Sequence, residues 1–417
     1  MKHESLLHFL ETSYTAYQAV ENAENMLRAA GFCELSEQDE WKLEDGGKYY
    51  VVRGGSSLIA FTVGGDARCK IVASHTDSPC LKLKEHPAVK RAGFTVLNAE
   101  TYGGGIYYSF FDRPLKLAGR VVCEDNGKLK IKNVVSPFNV VIPSLAVHMN
   151  REVNEKFAPN PQVDLLPLYC TGEKDPLAAF GDPVSFDLYA VCAEKPFLCG
   201  GEGEFLSSPR IDNLTSVHSS LRALSEGSTN GICVAACLDS EEVGSQTMQG
   251  AGSDFLVHTL SRIAQARGYS KDAFLRAIPS SFLLSLDNAH SIHPNHPEKC
   301  DITNQATMGK GVVIKAHANR AYTTDALTSA VVKKIFQSAG VAVQSFYNRS
   351  DMRSGGTLGA ISLGQIGIPS ADIGLAQLAM HSAMETVALS DYDALEQALR
   401  AFYASDILIG KDCVTVR

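Results

Sequence analysis

Apolar positions near the N-terminus recur at helical spacing. One run includes Leu7 and Leu10, and after a Ser/Thr break the same spacing resumes at Ala16 and continues to Gly31. A period of about 3.6 residues is typical of a helix that packs one face on a core, and glycine is a suitable residue to end it. The pattern therefore predicts two helices within residues 4–31.

Short apolar runs bounded by turn residues predict strands in the first half of the chain. Three of these runs lie before residue 87, at 48–53, 57–63 and 71–73. Four more lie among many turn residues, at 94–97, 117–123, 129–135 and 184–193. A helix-like pattern interrupts the second group at 144–156. Residues 87–206 are therefore predicted to form a mostly β unit with its own small core.

From Pro209 onward, strand-like and helix-like patterns alternate. The predicted helices lie at about 213–225, 252–267, 324–338 and 391–409. The predicted strands lie at 232–238, 281–286, 312–315, 342–347 and 371–373. Such alternation predicts an α/β fold in which helices cover both faces of a sheet. We expect a discontinuous α/β domain of residues 1–86 and 207–417, with a mixed sheet covered by helices, and an inserted β-rich domain of residues 87–206.

Composition and charge limit the possible partners. The chain has 417 residues, with 38 basic and 46 acidic side chains and a formal net charge of −8. A mildly acidic protein gains no electrostatic attraction to nucleic acid or an anionic membrane, so we expect neither as a partner. The N-terminal residues predict no signal peptide, because no basic stretch leads into an apolar run. The eleven cysteines are scattered without a CxxC motif, which is typical of thiols in a reducing compartment, and the cytoplasm is the expected location.

Four segments share one arrangement, in which an apolar run ends and metal-capable side chains follow at once. The segments are IVASHTD, CVAACLDSEE, FLLSLD and ADIGLAQLAMHS. They supply His75, Asp77, Asp239, Glu241, Glu242, Asp287 and His381. Ligands of open α/β sheets bind beyond the carboxyl ends of the strands, so these side chains are expected to converge. Asp212, just before a predicted helix, could reach the same crevice.

Each candidate also has a purely structural explanation. A histidine after a strand is most often a surface or core residue, and Asp212 could be an N-cap that accepts N–H groups of the first helical turn. Glu241 and Glu242 could form a solvated acidic loop, and Asp287 could belong to a turn. Several carboxylates and two histidines at strand ends are nevertheless hard to obtain from solvated loops alone, so the coincidence favours a metal site.

The residue types suit a pair of divalent ions. Carboxylate and imidazole are ligands that hard and borderline dications accept. Two ions need about five protein ligands, one of them a bridging carboxylate, and a further carboxylate must remain free to take a proton from the attacking water. Adjacent glutamates suit this division, because successive side chains at a strand end point in different directions.

Other motifs in the chain give weaker evidence of function. Residues 103–105 form a glycine run, but it lacks the Lys-Ser/Thr of a phosphate loop and the GxGxxG pattern of dinucleotide sites, so nucleotide binding is rejected. The HSIHPNH segment that begins at His290 favours support of Asp287 or lining of a pocket over a separate zinc site. Neither GxSxG nor HExxH is present, which leaves serine hydrolase and zincin mechanisms without support.

The chain resembles the M18 family of metallopeptidases, the aspartyl aminopeptidases. The resemblance rests on long motifs in family order over nearly the whole chain. These are ASHTDSPCLKLK, YGGGIYYSFFDRPL, IPSLAVHMNREVN, SPRIDNL, DSEEVGS, DNAHSIHPN, SGGTLG and MHSAMET. It implies a catalytic domain with an inserted oligomerisation domain. The activity it implies is the removal of single N-terminal residues from peptides, with a preference for Asp or Glu. It also implies zinc as the cofactor, with cobalt or manganese as alternatives, and assembly into a tetrahedral dodecamer.

The resemblance also implies roles for individual residues. His75, Asp212, Glu242, Asp287 and His381 are similar to the family's metal ligands, with Asp212 as the bridging carboxylate and Asp287 on the His75 side. Glu241 resembles the general base. Asp77 resembles the group that orients the His75 imidazole, a role that fixes the tautomer and raises ligand basicity.

Three further residues are expected to contact substrate. Selectivity for acidic residues needs a cation in the pocket that accepts the first side chain. Lys315 matches a family specificity lysine, and Arg353 in the SDMRSGGTLG loop is a second candidate; each could equally be a solvated charge. His148 matches a histidine that reaches a neighbour's active site, although its position alone favours a helix-surface histidine.

Competing functions remain at this point. The same two-metal scaffold serves deacylases, carboxypeptidases and aminopeptidases of neutral specificity. A carboxypeptidase would use Lys315 or Arg353 for the C-terminal carboxylate of its substrate. A catalytically idle assembly protein is a further alternative, but it predicts the loss of Glu241 or a metal ligand, and all of them are present.

Overall fold

A computed structural model describes residues 2–227, 231–352 and 355–417. The α-helices of this part of the chain are α1 (Glu4–Thr12), α2 (Ala16–Ala29), α3 (Ile211–Glu226), α4 (Phe255–Ala266), α5 (Lys271–Ala277), α6 (Ala326–Ser338), α7 (Leu358–Ile366) and α8 (Leu389–Ala404). The first eleven strands are β1 (Cys33–Leu35), β2 (Lys48–Arg53), β3 (Ser57–Thr62), β4 (Cys69–His75), β5 (Cys80–Arg91), β6 (Phe94–Tyr102), β7 (Leu115–Asp125), β8 (Lys128–Val135), β9 (Leu168–Thr171), β10 (Ser185–Cys192) and β11 (Phe197–Cys199). The remaining strands are β12 (Phe205–Ser208), β13 (Ile232–Leu238), β14 (Phe282–Leu286), β15 (Ala289–His290), β16 (Val312–Lys315), β17 (Val343–Phe346), β18 (Ser370–Gly374), β19 (Ala376–Leu378), β20 (Glu385–Ala388), β21 (Ile407–Ile409) and β22 (Val414–Val416).

A mixed nine-stranded sheet forms the centre of the molecule, in the order β1-β2-β3-β13-β4-β14-β18-β16-β17. Its central strands β13, β4, β14 and β18 are parallel. Alternate residues of β13 enter different cores: Cys233 and Cys237 face the core built with α1, α2, α3, α6 and α8, whereas Val234 and Ala236 face the core built with α4, α5 and α7. Helices therefore cover both faces, as the alternating pattern predicts.

A six-stranded antiparallel sheet lies beside this unit, in the order β8-β7-β10-β5-β6-β9. Leu81, Leu97, Leu117 and Leu188 are among the buried residues of its separate core. This confirms the expected α/β fold with an added β-rich part. Strand β5 crosses the expected boundary between residues 86 and 87, and we retain the division into two domains as a proposal.

A five-stranded sheet connects the end of the β-rich part to the C-terminal segment, in the order β11-β12-β20-β19-β15. Strand β12 pairs antiparallel with β20, and β15 continues from β14 to pair with β19. The loop between β19 and β20 contains His381. This sheet therefore holds the His381 loop beside the carboxyl end of β14.

Most predicted elements are confirmed to within a few residues, but the helix predicted at 144–156 is wrong. Residues 147–149 and 151–155 form turns instead. Leu145 is 59% exposed, Val147 52% and Met149 75%, so no core covers the apolar side chains that suggested a helix. A short helix without a packed face is marginal in water, because the first turn fixes several residues for one hydrogen bond.

Two further observations concern the whole of the described chain. All eleven cysteines are unpaired thiols, and Cys233 and Cys237 are fully buried core residues as expected. Within the described residues, no helix is both long and apolar enough to cross a membrane.

Candidate metal centre

The metal-capable side chains lie at the carboxyl edge of the central sheet. His75 is the last residue of β4, Asp287 directly follows β14, and Glu241 and Glu242 lie in a short turn after β13. Strands β13, β4 and β14 are parallel neighbours, so their carboxyl ends meet at this edge. Asp212 reaches it from the first turn of α3, where its backbone departs from helical geometry.

Asp212 lies between two imidazoles. Its Oδ1 is 3.3 Å from His75 Nε2, and its Oδ2 is 3.5 Å from His381 Nε2. On one side, Asp287 Oδ1 is 3.7 Å from His75 Nε2. On the other side, Glu242 Oε1 is 3.4 Å from His381 Nε2. The five residues predicted as metal ligands are thus brought together in two sets that share the Asp212 carboxylate.

The unsatisfied atoms of the cluster fit bound cations. Among the described residues, three groups have ligand atoms within 4.8 Å of one another. Two of them share Asp212, namely His75, Asp212 and Asp287, and Asp212, Glu242 and His381; the third is His75, Glu241 and Glu242. Asp212 Oδ1 and Glu242 Oε1 are buried and have no hydrogen-bond partner. A buried carboxylate oxygen without a donor is costly, and coordination to a metal is one way to satisfy it.

Asp77 orients His75 and the turn that carries Glu241 and Glu242. His75 Nδ1 is 3.0 Å from the Asp77 carbonyl oxygen and 3.4 Å from its Oδ1. An Nδ1–H directed at Asp77 leaves Nε2 with a free lone pair facing Asp212 and Asp287. The Asp77 carboxylate also accepts the backbone N–H groups of Glu241 and Glu242, at 3.1 and 3.2 Å. One side chain therefore positions residues from two strand ends.

The electrostatics reflect many acidic groups in a buried site. Burial raises the pKa of Glu241 to about 7, with the Asp287 charge adding to it and His75 opposing it. Burial likewise raises the Glu242 pKa well above its usual range. Burial also acts to raise the Asp212 pKa, but the adjacent His381 and His75 imidazoles outweigh it and hold that pKa below its usual range. A cation would favour the ionised form of all three carboxylates.

Two supporting residues escape prediction from the sequence. The Glu385 carboxylate is buried and accepts the backbone N–H of Asp212 at 2.9 Å and of His381 at 2.7 Å. The Tyr102 hydroxyl donates to Asp77 Oδ2 at 2.8 Å. Glu385 lies within the motif MHSAMET and Tyr102 begins the motif YGGG, but a hydrogen bond to a residue distant in sequence has no local sequence signature.

The glycine run packs against the cluster rather than forming a phosphate loop. Gly103 has φ +73°, and a Cβ atom there would lie 3.0 Å from the Cβ of Glu242. Next to it, the Gly104 carbonyl oxygen is 3.1 Å from His381 Nδ1. Glycine is therefore required at Gly103 by both the backbone conformation and the close approach of Glu242.

A cavity of about 700 Å³, including its part open to solvent, borders the cluster. Its lining includes Glu241, His290, Lys315 and Tyr322. Lys315 is buried, and its Nζ donates to Asp287 Oδ2 at 3.0 Å and to the Asn288 carbonyl at 3.1 Å.

The two other residues expected to contact substrate are placed differently. His148 lies in an exposed turn and is absent from the lining of this cavity. Arg353 lies outside the described residues.

An α/β sheet whose carboxyl edge collects buried carboxylates and imidazoles beside an open cavity is the arrangement of a metal-dependent hydrolase. A sequence model of the family described as Aminopeptidase I zinc metalloprotease (M18) matches residues 9–403. A protein of Clostridium novyi (strain NT), named Probable M18 family aminopeptidase 2, is 39% identical over 422 residues, which cover 95% of this chain and 97% of that protein.

Solved structures are also similar to this chain over nearly its whole length. A chain in the cryo-EM structure of the Ape4 and Nbr1 complex is similar with a TM-score of 0.92 and 34% identity, over 96% of this chain and 85% of that chain. A chain of the S. cerevisiae mApe1 dodecamer is similar with a TM-score of 0.81 and 25% identity, over 96% of each chain. The chain belongs to the M18 family of metallo-aminopeptidases, which confirms the resemblance.

Proposed function

We propose that this protein is a two-metal aminopeptidase that removes N-terminal Asp or Glu residues from peptides. The observation that carries the proposal is the placement of Asp212 between His75 and His381, each paired with a further carboxylate. A carboxylate shared by two ligand sets is what a dinuclear site needs, and the adjacent cavity gives a peptide terminus access to it.

The proposed ions are zinc, with cobalt or manganese as alternatives, since borderline dications accept mixed imidazole and carboxylate ligands. One set would be His75, Asp212 and Asp287, and the other Asp212, Glu242 and His381. When bound, two such ions polarise the scissile carbonyl and acidify the attacking water.

Glu241 is assigned as the general base. It lines the cavity and is not needed by either ligand set that shares Asp212. Its carboxylate is thereby free to take a proton from the attacking water and to return it to the leaving amine. Asp77 holds the Glu241 backbone, and the neighbouring Glu242 is directed to His381 instead.

Lys315 is proposed to recognise the acidic side chain of the substrate. Its ammonium has three donors, of which Asp287 and Asn288 occupy two. The third could reach a carboxylate in the cavity. Because the charge is buried, a pairing with a substrate carboxylate would be little screened by salt. Arg353 remains a second candidate for this role.

Chromogenic aminoacyl substrates test the proposed function. Asp and Glu anilides should be cleaved faster than the Leu anilide, and N-acetyl-Asp anilide should not be cleaved, because the free amine is required. In Lys315→Met the rate on Asp and Glu should fall by at least about tenfold more than the rate on Leu, the scale of one charge-assisted hydrogen bond.

Lys70→Met is the matched control for that variant. Lys70 is also buried, but its ammonium contacts carbonyls near the end of α8, far from the cavity. Equal losses on acidic and neutral substrates in Lys315→Met would remove the specificity role. Cleavage of Leu alone would favour a neutral aminopeptidase, and cleavage of acetylated substrates a deacylase.

We further propose that the protein acts in the cytoplasm as a homo-oligomer, with a tetrahedral dodecamer as the expected form. The S. cerevisiae mApe1 structure is named a dodecamer, and the exposed apolar side chains of Leu145, Val147 and Met149 suit burial against another subunit. His148 lies among them and would reach a neighbour's active site. Light scattering that gives the mass of a single chain would contradict this assembly.

A further inference from the structure

A second cavity borders Asp77 but none of the five proposed metal ligands. It contains about 620 Å³ of empty space, including its opening to solvent. Its walls include the segment from Tyr14 to Tyr17 at the start of α2, strands β5 and β10, and Arg210 before α3. The segments 76–79 and 382–385 complete it together with Tyr102, Phe110 and Asp239. The cavity therefore lies between the N-terminal helices, the β-rich part and the central sheet.

Aromatic side chains dominate the apolar part of the wall. They are Tyr14, Tyr17, Tyr102, Phe110 and Tyr189. Aromatic rings present apolar faces while a tyrosine hydroxyl keeps a polar tip. Such a wall suits a small planar apolar group more than a chain of polar atoms.

Arg210 is a buried cation in this wall whose hydrogen-bond acceptors are both neutral. The residue is 8% exposed. Its Nη1 donates to the Cys192 carbonyl at 2.9 Å and its Nη2 to the Leu10 carbonyl at 3.2 Å, both neutral acceptors. Its Nε has no hydrogen-bond partner, and its guanidinium carbon lies 5.5 Å from the centroid of the Tyr14 ring. The Glu385 carboxylate of the same wall acts on its charge electrostatically. Buried charges are ordinarily paired, so this position calls for an anion.

The acidic residues of the same wall already have donors. Glu385 accepts two backbone N–H groups, and Asp77 accepts the Tyr102 hydroxyl together with two backbone N–H groups. Asp239 Oδ1 accepts the Ser240 N–H at 2.7 Å. Arg210 is thus the charged group of the wall that hydrogen-bonds only to neutral carbonyls and keeps one donor without an acceptor.

We propose that this cavity binds a small aromatic carboxylate, with the carboxylate on the Arg210 guanidinium and the ring among the tyrosines. A guanidinium matches a carboxylate in geometry and charge, whereas a neutral isostere offers one acceptor oxygen and no charge. Asp77, proposed to orient His75, lines this cavity together with Tyr102, which donates a hydrogen bond to it.

Calorimetric titration of the metal-loaded protein with benzoate tests the proposal, with benzamide as the neutral isostere and chloride as an inorganic anion. Benzoate should bind at least about tenfold more tightly than benzamide, the scale of a charge-assisted hydrogen bond. Arg210→Met should weaken benzoate by at least about the same factor. Val191→Met leaves Arg210 in place and fills the cavity at a buried wall residue, so it should also weaken benzoate while hydrolysis continues.

Three results would overturn the proposal. Equal binding of benzoate and benzamide would remove the role of Arg210. Benzoate binding that survives both Arg210→Met and Val191→Met would place the ligand on the metals instead. Binding of chloride without binding of benzoate would replace the organic ligand by an inorganic ion. Because the readout is binding and not hydrolysis, failure here leaves the proposed peptidase activity untouched.

Discussion

Asp212→Asn is expected to lose bound metal and activity together. Asp212 is the carboxylate that faces both His75 and His381, so its amide would offer one neutral oxygen where two charged oxygens are needed. Loss of an outer hydrogen-bond partner of a metal ligand costs about 10–100-fold in metal affinity or activity, and loss of the shared ligand should exceed that range. Metal content after dialysis and kcat on the Asp anilide measure the two effects.

Asp391→Asn is a matched control for this substitution. Asp391 is also a buried aspartate, but its oxygens accept the N–H groups of Gly309 and Gly311, away from the cluster. The control should keep its metal whatever it loses in stability. An Asp212→Asn protein that retains its full metal content and cleaves the Asp anilide at the native rate would exclude Asp212 as the bridging ligand.

Glu241→Gln is expected to separate catalysis from metal binding. Glutamine keeps the size of the side chain but cannot take a proton from the attacking water. General acid–base catalysis contributes about 10²–10⁴-fold, so kcat should fall by that factor. Metal content should stay at the native level, because both ligand sets that share Asp212 are complete without Glu241.

The neighbouring Glu242→Gln gives the opposite signature and serves as the control. Glu242 Oε1 faces His381 and lacks any other partner, so its loss should lower metal content as well as kcat. If Glu241→Gln loses metal while Glu242→Gln keeps it, the two roles are exchanged. Native turnover by a metal-loaded Glu241→Gln protein would refute the assignment of a general base here.

The convergence of the cluster could be predicted because it follows from strand order. His75, Glu242 and Asp287 end or follow parallel strands, and short apolar runs reveal such strands in sequence. The periodicity of apolar residues could not show that Asp212 belongs to the metal site, because an aspartate at the start of a helix can equally be its N-cap. The family resemblance supplied that role.

Other features depend on contacts that no local pattern encodes. Glu385 holds two backbone N–H groups, one of them 173 residues away in the chain. Strand β5 extends through Pro87, across a boundary drawn from changes in composition. The helix predicted at 144–156 has the right spacing but no surface to pack against within one chain. The spacing of apolar residues shows which side chains a helix could bury, but it does not show whether another surface is present to cover them.

Metal titration of the chelated protein tests the central claim most directly. The protein would be stripped with a chelator, titrated with zinc, and assayed on the Asp anilide after each addition. Two ligand sets that share Asp212 predict that activity vanishes on stripping and is restored fully at two zinc ions per chain. Full activity in the stripped protein, or restoration that is complete at one ion per chain, would contradict a two-metal aminopeptidase.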